Sequence, residues 1–581
     1  MHKIWLQSYP ASVRPEIDLT EYSSLNDMLA RSCETFTGRP AFRNLGITLT
    51  FGDLDRLTRD FAAFLQSLEG LERGSRVAIM MPNLLQYPIA LFGTLRAGMV
   101  VVNTNPLYTA RELHHQLEDS GAEAIVILEN FAHVLEKVLP HTRVKHVITT
   151  QVGDVLPLPR RLAVNFVVKR IRKMVPGWDI TGAIPFRAAL ESGASASLAE
   201  PDVTRDDIAM LQYTGGTTGT SKGAVLSHGN LLANLLQTKA WTEGIFEEGG
   251  EIAVTALPLY HIFSLTLNCM LFTKLGGMNL LITNPRDMRG FVKELSGSRF
   301  TVMCGVNTLF NGLLNTPGIG RVNFRTVKFA VGGGAPIQRP VAERWQELTG
   351  RSLVEGYGLT EASPVVSCNP LDTSYSGTVG LPMPSTEISI RDDDNRTLPP
   401  GETGEICVRG PQVTRGYWNR PVETREVFTP DGWLRTGDIG VMDDRGYTRV
   451  TDRKKDMILV SGFNVYPTEV EAVIAAMPQV LECAVVGRPD ATTGERVNAC
   501  IVRRDATLSP ESVMAHCREY LTSYKVPRSV EFFAELPKNP IGKVLRRELR
   551  ETAPAPEPAA SPASRRSEGI GATPVRPPEP V

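Results

Sequence analysis

Tyr213-Thr214-Gly215-Gly216-Thr217-Thr218-Gly219-Thr220-Ser221-Lys222-Gly223 is a polar stretch between two strand-like runs, Asp207–Gln212 and Ala224–Leu226. Its place between them predicts the tip of a hairpin. Glycines let backbone N–H groups face one concavity, the hydroxyls donate to phosphoryl oxygens, and Lys222 adds a mobile cation, so the stretch suits a polyphosphate. It does not fit the loop G-x-x-x-x-G-K-[ST]. Counted from Gly215, Thr220 stands where the second glycine belongs, and Gly223 follows Lys222. A plain flexible Gly/Thr turn is the competing reading.

Working outward, 581 residues exceed what one core serves and suggest two to four units. A net charge of −1 leaves no electrostatic footprint for nucleic acid. The eight cysteines include no C-x-x-C pair, which speaks against a zinc site or disulfide framework and for a reducing cytoplasm. Met1–Leu6 lacks the apolar core of a signal peptide, and the apolar region Ile252–Ile282 is too interrupted to span a bilayer.

Residues 25–150 alternate helix and strand patterns: Leu54–Leu68, Arg76–Met81, Tyr87–Arg96, Met99–Val102, Ala110–Ser120 and Ala124–Leu128. Such alternation with apolar strands predicts a parallel sheet covered on both faces. It resumes beyond the glycine-rich loop, and from Ser385 to Val450 short strands and turns predict a small antiparallel barrel. The expected fold is α/β. A large N-terminal domain (1–452) would hold two parallel-type α/β subdomains and the barrel, followed by a smaller mobile α+β domain (453–552) and a disordered Pro/Ala-rich tail (553–581).

A helical wheel from Leu162 places Val164, Val167, Val168, Ile171, Met174, Val175 and Trp178 on one face and Lys169, Arg170, Arg172 and Lys173 opposite, with Pro176 ending the helix. Docking on an anionic membrane surface is one use of such a helix. Packing of the stripe on its own domain is the other.

Several motifs end strand-like runs, where open α/β sheets bind ligands. Gly332-Gly333-Gly334-Ala335 admits a flat purine to the backbone. Glu355-Gly356-Tyr357-Gly358-Leu359-Thr360-Glu361 offers an aromatic face, a hydroxyl and a carboxylate for Mg2+. Asp438, on a Thr-Gly-Asp turn, suits ribose hydroxyls.

Together these motifs resemble those of the AMP-forming adenylating enzymes, with a match from about residue 3 to 552 closest to the bacterial long-chain fatty-acid–CoA ligase family. Met81–Pro88 and Asp452–Pro467 are especially specific. The resemblance implies ATP and coenzyme A as co-substrates, Mg2+ held by Glu361 and Thr214, and Lys543, Glu361 and Lys222 as catalytic residues. It implies nucleotide contacts at Tyr213–Gly223, Gly333, Gly334, Ala335, Glu355–Gly358, Thr360, Asp438, Arg453 and Lys455. Ser461 and Gly462 would meet the pantetheine arm of coenzyme A, and His261, Phe263, Val306, Leu309 and Gly334 would line an acyl pocket. Taken alone, Lys543 in Pro537–Lys543 reads as a solvated lysine. The family also implies a C-terminal lobe that swings between two half-reactions. Departures from its pattern are Gly229, where a basic residue is expected, and Arg435, where histidine is usual.

The leading expectation is fatty acid, ATP and CoA converted to acyl-CoA, AMP and pyrophosphate. Acyl transfer to a carrier-protein thiol and a non-catalytic fatty-acid-binding or membrane-recruitment protein are the alternatives. Peripheral membrane contact and a homodimer stand as further partner options.

Overall fold

Two largely parallel sheets carry the large body of this computed structural model, which describes residues 3–214, 221–490, 492–540 and 542–551. Met1 and His2, the loop residues Gly215–Thr220, Ala491, Ile541, Thr552 and the tail 553–581, for which disorder is expected, lie outside the described residues.

In the first sheet Ile208–Thr214 pairs parallel with Val100–Asn103 and antiparallel with Lys222–Ser227, which puts Thr214 opposite Lys222. The hairpin expected around the glycine-rich loop is therefore formed by its flanks. The sheet continues in parallel through Arg76–Met80, Ala124–Leu128, His146–Thr150 and Ile184–Pro185. Local chemistry sets the crossover helices. Thr109 caps Ala110–Ser120 in a reciprocal bond pair with Glu112, and left-handed Gly121 ends that helix. Helix Gln86–Arg96 is buried along its whole length between sheet and neighbours.

The second sheet has a parallel centre of Leu353–Gly358, Phe329–Gly332, Val302–Gly305, Ile252–Thr255, Met278–Leu281 and Pro40–Asn44. Its strands end in the glycine motifs, so those motifs open at the carboxyl edge. The turn-rich stretch read as a barrel forms a four-stranded antiparallel sheet of Glu387–Arg391, Thr403–Arg409, Leu434–Met442 and Thr448–Arg453.

Beyond Arg453, strands Ile458–Val460, Phe463–Val465, Val480–Asp490, Gly494–Arg503 and Ser529–Phe533 build a mixed sheet. Helices Pro467–Ala475 and Pro510–Tyr520 accompany it, and Val470, Ile474, Val485, Ile501 and Val513 form part of a separate apolar core.

The basic helix ends earlier than Pro176. It runs as α-helix over Leu158–Phe166 and widens to a π turn over Val167–Ile171; Lys173 then turns left-handed at φ 51°. The shift in period divides the apolar stripe. Val164 and Trp178 pack against cores, whereas Leu158, Leu162, Phe166, Val167, Ile171 and Met174 face solvent. Among the described residues no helix is long and apolar enough to cross a membrane.

Candidate active site

A continuous cavity of about 3180 Å³ joins the hairpin flank, the carboxyl edge of the second sheet and the C-terminal lobe. Tyr213, Thr214, Ser221 and Lys222 line its hairpin side. Gly223 does not, because it lies on the strand with its α-carbon against the Tyr213 ring. The Tyr213 hydroxyl donates to Asp119 at 2.7 Å, and Arg420 pairs with the same carboxylate, so Tyr213 anchors the strand end.

Glu361 sits across the cleft. Its Oε1 accepts a 2.7 Å bond from the Tyr417 hydroxyl, while the Lys222 ammonium lies 5.5 Å from the Tyr417 ring centre. Tyr417 escaped the sequence reading, since a lone tyrosine in a loop carries no signal. A bridge to Ala224 and the Trp418 N–H to Gly223 carbonyl bond bring its segment alongside the hairpin. The carboxylate of Glu361 and the hydroxyl of Thr214 supply hard oxygens facing one cleft, the donor chemistry Mg2+ accepts together with phosphate and water oxygens.

Gly333, Gly334, Ala335, Gly356, Tyr357, Gly358 and Thr360 also line the cavity. Gly334 has φ +74°, a left-handed turn that favours glycine. Glu355 braces this edge by accepting the Ile337 N–H at 3.0 Å, and burial raises its carboxyl to about 7. The Tyr357 hydroxyl donates to Asp438 Oδ2 at 2.6 Å, and Arg453 Nε lies 3.1 Å from Oδ1. Lys455 lines the same region, its ammonium lowered by burial and then by Arg453.

Lys543 enters the cavity from the small lobe. Burial, followed by the nearby Arg453 guanidinium, brings its ammonium down to about 7, with Asp438 and Asp456 opposing and Arg546 adding to the fall. His261 faces Lys543 as well, and burial with that cation holds the imidazole down at about 4, hence neutral. The turn that presents Lys543 is fixed on both sides. Asn539 Oδ1 accepts the Lys543 N–H at 2.8 Å, and Thr308 Oγ1 of the large body donates to Gly542 O at 3.0 Å.

His261, Phe263, Val306 and Gly334 surround the mouth of an apolar branch of the cavity. Leu309 does not line it. On the helix Asn307–Leu314 that side chain packs over Gly305 in the core, because the helical turn carries it away from the cleft. Ser461 and Gly462 also stay outside, exposed at a left-handed turn beside Phe463, whose ring stacks on Tyr524 at 4.9 Å. Both departures are accommodated. Gly229 lets its helix start approach the Arg205 backbone, and Arg435 Nη1 lies 3.4 Å from Glu405.

A cleft flanked by the glycine-rich hairpin, with a buried lysine from the small lobe and an apolar branch, has the build of an adenylating type of protein. Residues 29–418 match the AMP-binding enzyme family and residues 469–543 the AMP-binding enzyme C-terminal domain, and the chain belongs to this family. It is 56% identical over 552 residues to the long-chain-fatty-acid–CoA ligase of Yersinia pestis, covering 95% of this chain and 98% of that protein. Identity to the Escherichia coli protein of the same description is 56% over 554 residues, covering 95% and 99%. ATP-bound MatB from Rhodopseudomonas palustris has a TM-score of 0.76 at 30% identity, over 91% of this chain and 98% of that one.

Proposed function

We propose that the protein is an ATP-dependent long-chain fatty-acid–CoA ligase. The observation that carries this reading is the convergence of Lys543, Asp438, Thr214 and Lys222 on one cavity with an apolar branch.

In the first half-reaction a fatty carboxylate oxygen attacks the α-phosphorus of ATP, the bond to the bridging oxygen breaks, and pyrophosphate leaves. Anion meets anion, so catalysis rests on positioning and charge neutralisation. Lys543 in its ammonium form offsets the charge of carboxylate and α-phosphate, Lys222 offsets that of the outer phosphates, and Asp438 accepts the ribose hydroxyls. Mg2+ bound by Glu361 and Thr214 would offset phosphate charge. Tyr417 fixes the Glu361 carboxylate, and neutral His261 walls the mouth without removing a proton.

In the second half-reaction a coenzyme A thiolate attacks the acyl carbon and AMP departs with the electrons of the C–O bond. Ser461 and Gly462 serve this step after the lobe of residues 453–552 rotates about Asp452–Asp456; their exposure outside the cleft supports two arrangements of the lobe. The exposed apolar row Leu158, Leu162, Phe166, Ile171 and Met174, flanked by Arg160, Arg161, Lys169, Arg170, Arg172 and Lys173, docks the enzyme on anionic bilayers where its substrate partitions.

The test is pyrophosphate release and thioester formation with hexadecanoate, ATP and free CoA. Turnover requiring all three supports the reading. Acyl-adenylate formation with transfer only to a carrier-protein thiol would replace it.

A further inference from the structure

The apolar branch has a definite inner end. Val302 and Cys304 pair in register with Phe329 and Val331, and residues two apart on a strand point to one face, so these four side chains pave the wall of the branch from its depth to its mouth. Phe329 stands at the deep end, and Phe272 comes in from the facing helix. Phe246, on the loop after helix His228–Trp241, closes over both, with ring centres 5.5 Å from Phe272 and 5.4 Å from Phe329.

We propose that Phe246 is the chain-length gauge of the acyl cavity. This rests on the fatty-acid reading above. From Gly333 at the mouth back to Phe329 is four strand residues, about 13 Å at roughly 3.3 Å each. An extended alkyl chain with bonds of about 1.5 Å advances about 1.3 Å per carbon, so about ten carbons reach the aromatic floor. A longer acid must pass it. Phe272 and Phe329 are locked in the core at 1% and 5% exposure, whereas Phe246 is half-buried and sits on a loop, so it is the ring that yields. The loop is pinned from behind, since Lys328 Nζ donates to Ile245 O at 2.8 Å and pairs with Glu251 at 2.6 Å. Passage of a long chain therefore requires displacing one side chain and not the segment that bears it.

The experiment compares kcat/KM for octadecanoate and decanoate in wild type, Phe246→Ala and Phe246→Trp. Each buried methylene is worth about fourfold in affinity, so the ratio of long to medium acid should rise about tenfold or more in Phe246→Ala and fall by a similar factor in Phe246→Trp. Because the ratio is taken within one preparation, the folded fraction cancels; Phe246→Leu replaces alanine if that variant does not fold. An unchanged ratio in an active Phe246→Ala or Phe246→Leu enzyme overturns the gauge alone. Wild-type enzyme that releases no pyrophosphate with any fatty acid overturns the functional reading on which it rests.

Discussion

Thr308 Oγ1, on the large body, donates a 3.0 Å hydrogen bond to the carbonyl of Gly542, the residue before Lys543. Asn311 Nδ2 adds a second bond across the same junction, to Leu481 O at 3.1 Å. These bonds hold the lysine turn in the cleft. A hydrogen bond of this kind contributes about 0.5–1.5 kcal/mol, so Thr308→Val should slow acyl-adenylate formation about three- to tenfold. Thioester formation from preformed acyl-adenylate should be spared, and Thr308→Ser should restore the first step. Equal loss in both steps would mean that the contact serves only stability.

The pH profile follows from Lys543. Its ammonium falls to about 7 through burial first, and the useful form is the cation. Below that value the charge is present; above it the free enzyme loses the proton, so kcat/KM for adenylation should decline as pH rises through about 7. Anionic ATP and carboxylate favour the cation, so the limb in kcat should lie at higher pH. Lys543→Arg, protonated throughout, should remove this limb. His261, already neutral, contributes none above pH 6.

Tyr417 should matter through Glu361. Partners of a metal-binding carboxylate typically change affinity or activity about 10- to 100-fold when removed. Tyr417→Phe should therefore raise the Mg2+ concentration giving half-maximal activity about tenfold with little change in the fatty-acid KM. A change in fatty-acid KM alone would place Tyr417 elsewhere in the reaction.

Membrane docking is tested by vesicle co-sedimentation. Cations near an anionic surface contribute about 1 kcal/mol each, so neutralising Lys169, Arg170, Arg172 and Lys173 should abolish binding to phosphatidylserine-rich vesicles, and high salt should mimic the change. Leu162→Asp with Phe166→Asp should do the same while leaving activity on a soluble medium-chain acid intact. Equal sedimentation with neutral vesicles would contradict the electrostatic part.

Much of this was legible in the chain. The strands Ile208–Thr214 and Ala124–Leu128 and the helix Ala110–Ser120 follow from apolar runs and caps whose physics is local. Asp438 and Glu361 line the same cavity, a placement that their positions in glycine-punctuated motifs predict. Thr308, Tyr417 and Phe246 carry no such signal, because each acquires meaning only from a partner distant in sequence: Gly542, Glu361 and Phe329. Leu309 was misplaced for the same reason, since facing the core or the cleft depends on how its helix rolls on Gly305. The basic helix showed its charge pattern but not its end, which the left-handed Lys173 fixes.

One amine, lent by the small lobe, is expected to drive formation of the mixed anhydride and not the thioester. Single-turnover rates of Lys543→Ala test this most directly. Removal of one preorganised charge donor typically costs about 100- to 1,000-fold, and such a loss is expected in acyl-adenylate formation, with thioester formation from synthetic acyl-adenylate and CoA near the wild-type rate. Undiminished adenylation, or an equal collapse of both steps in a folded variant, would contradict the account.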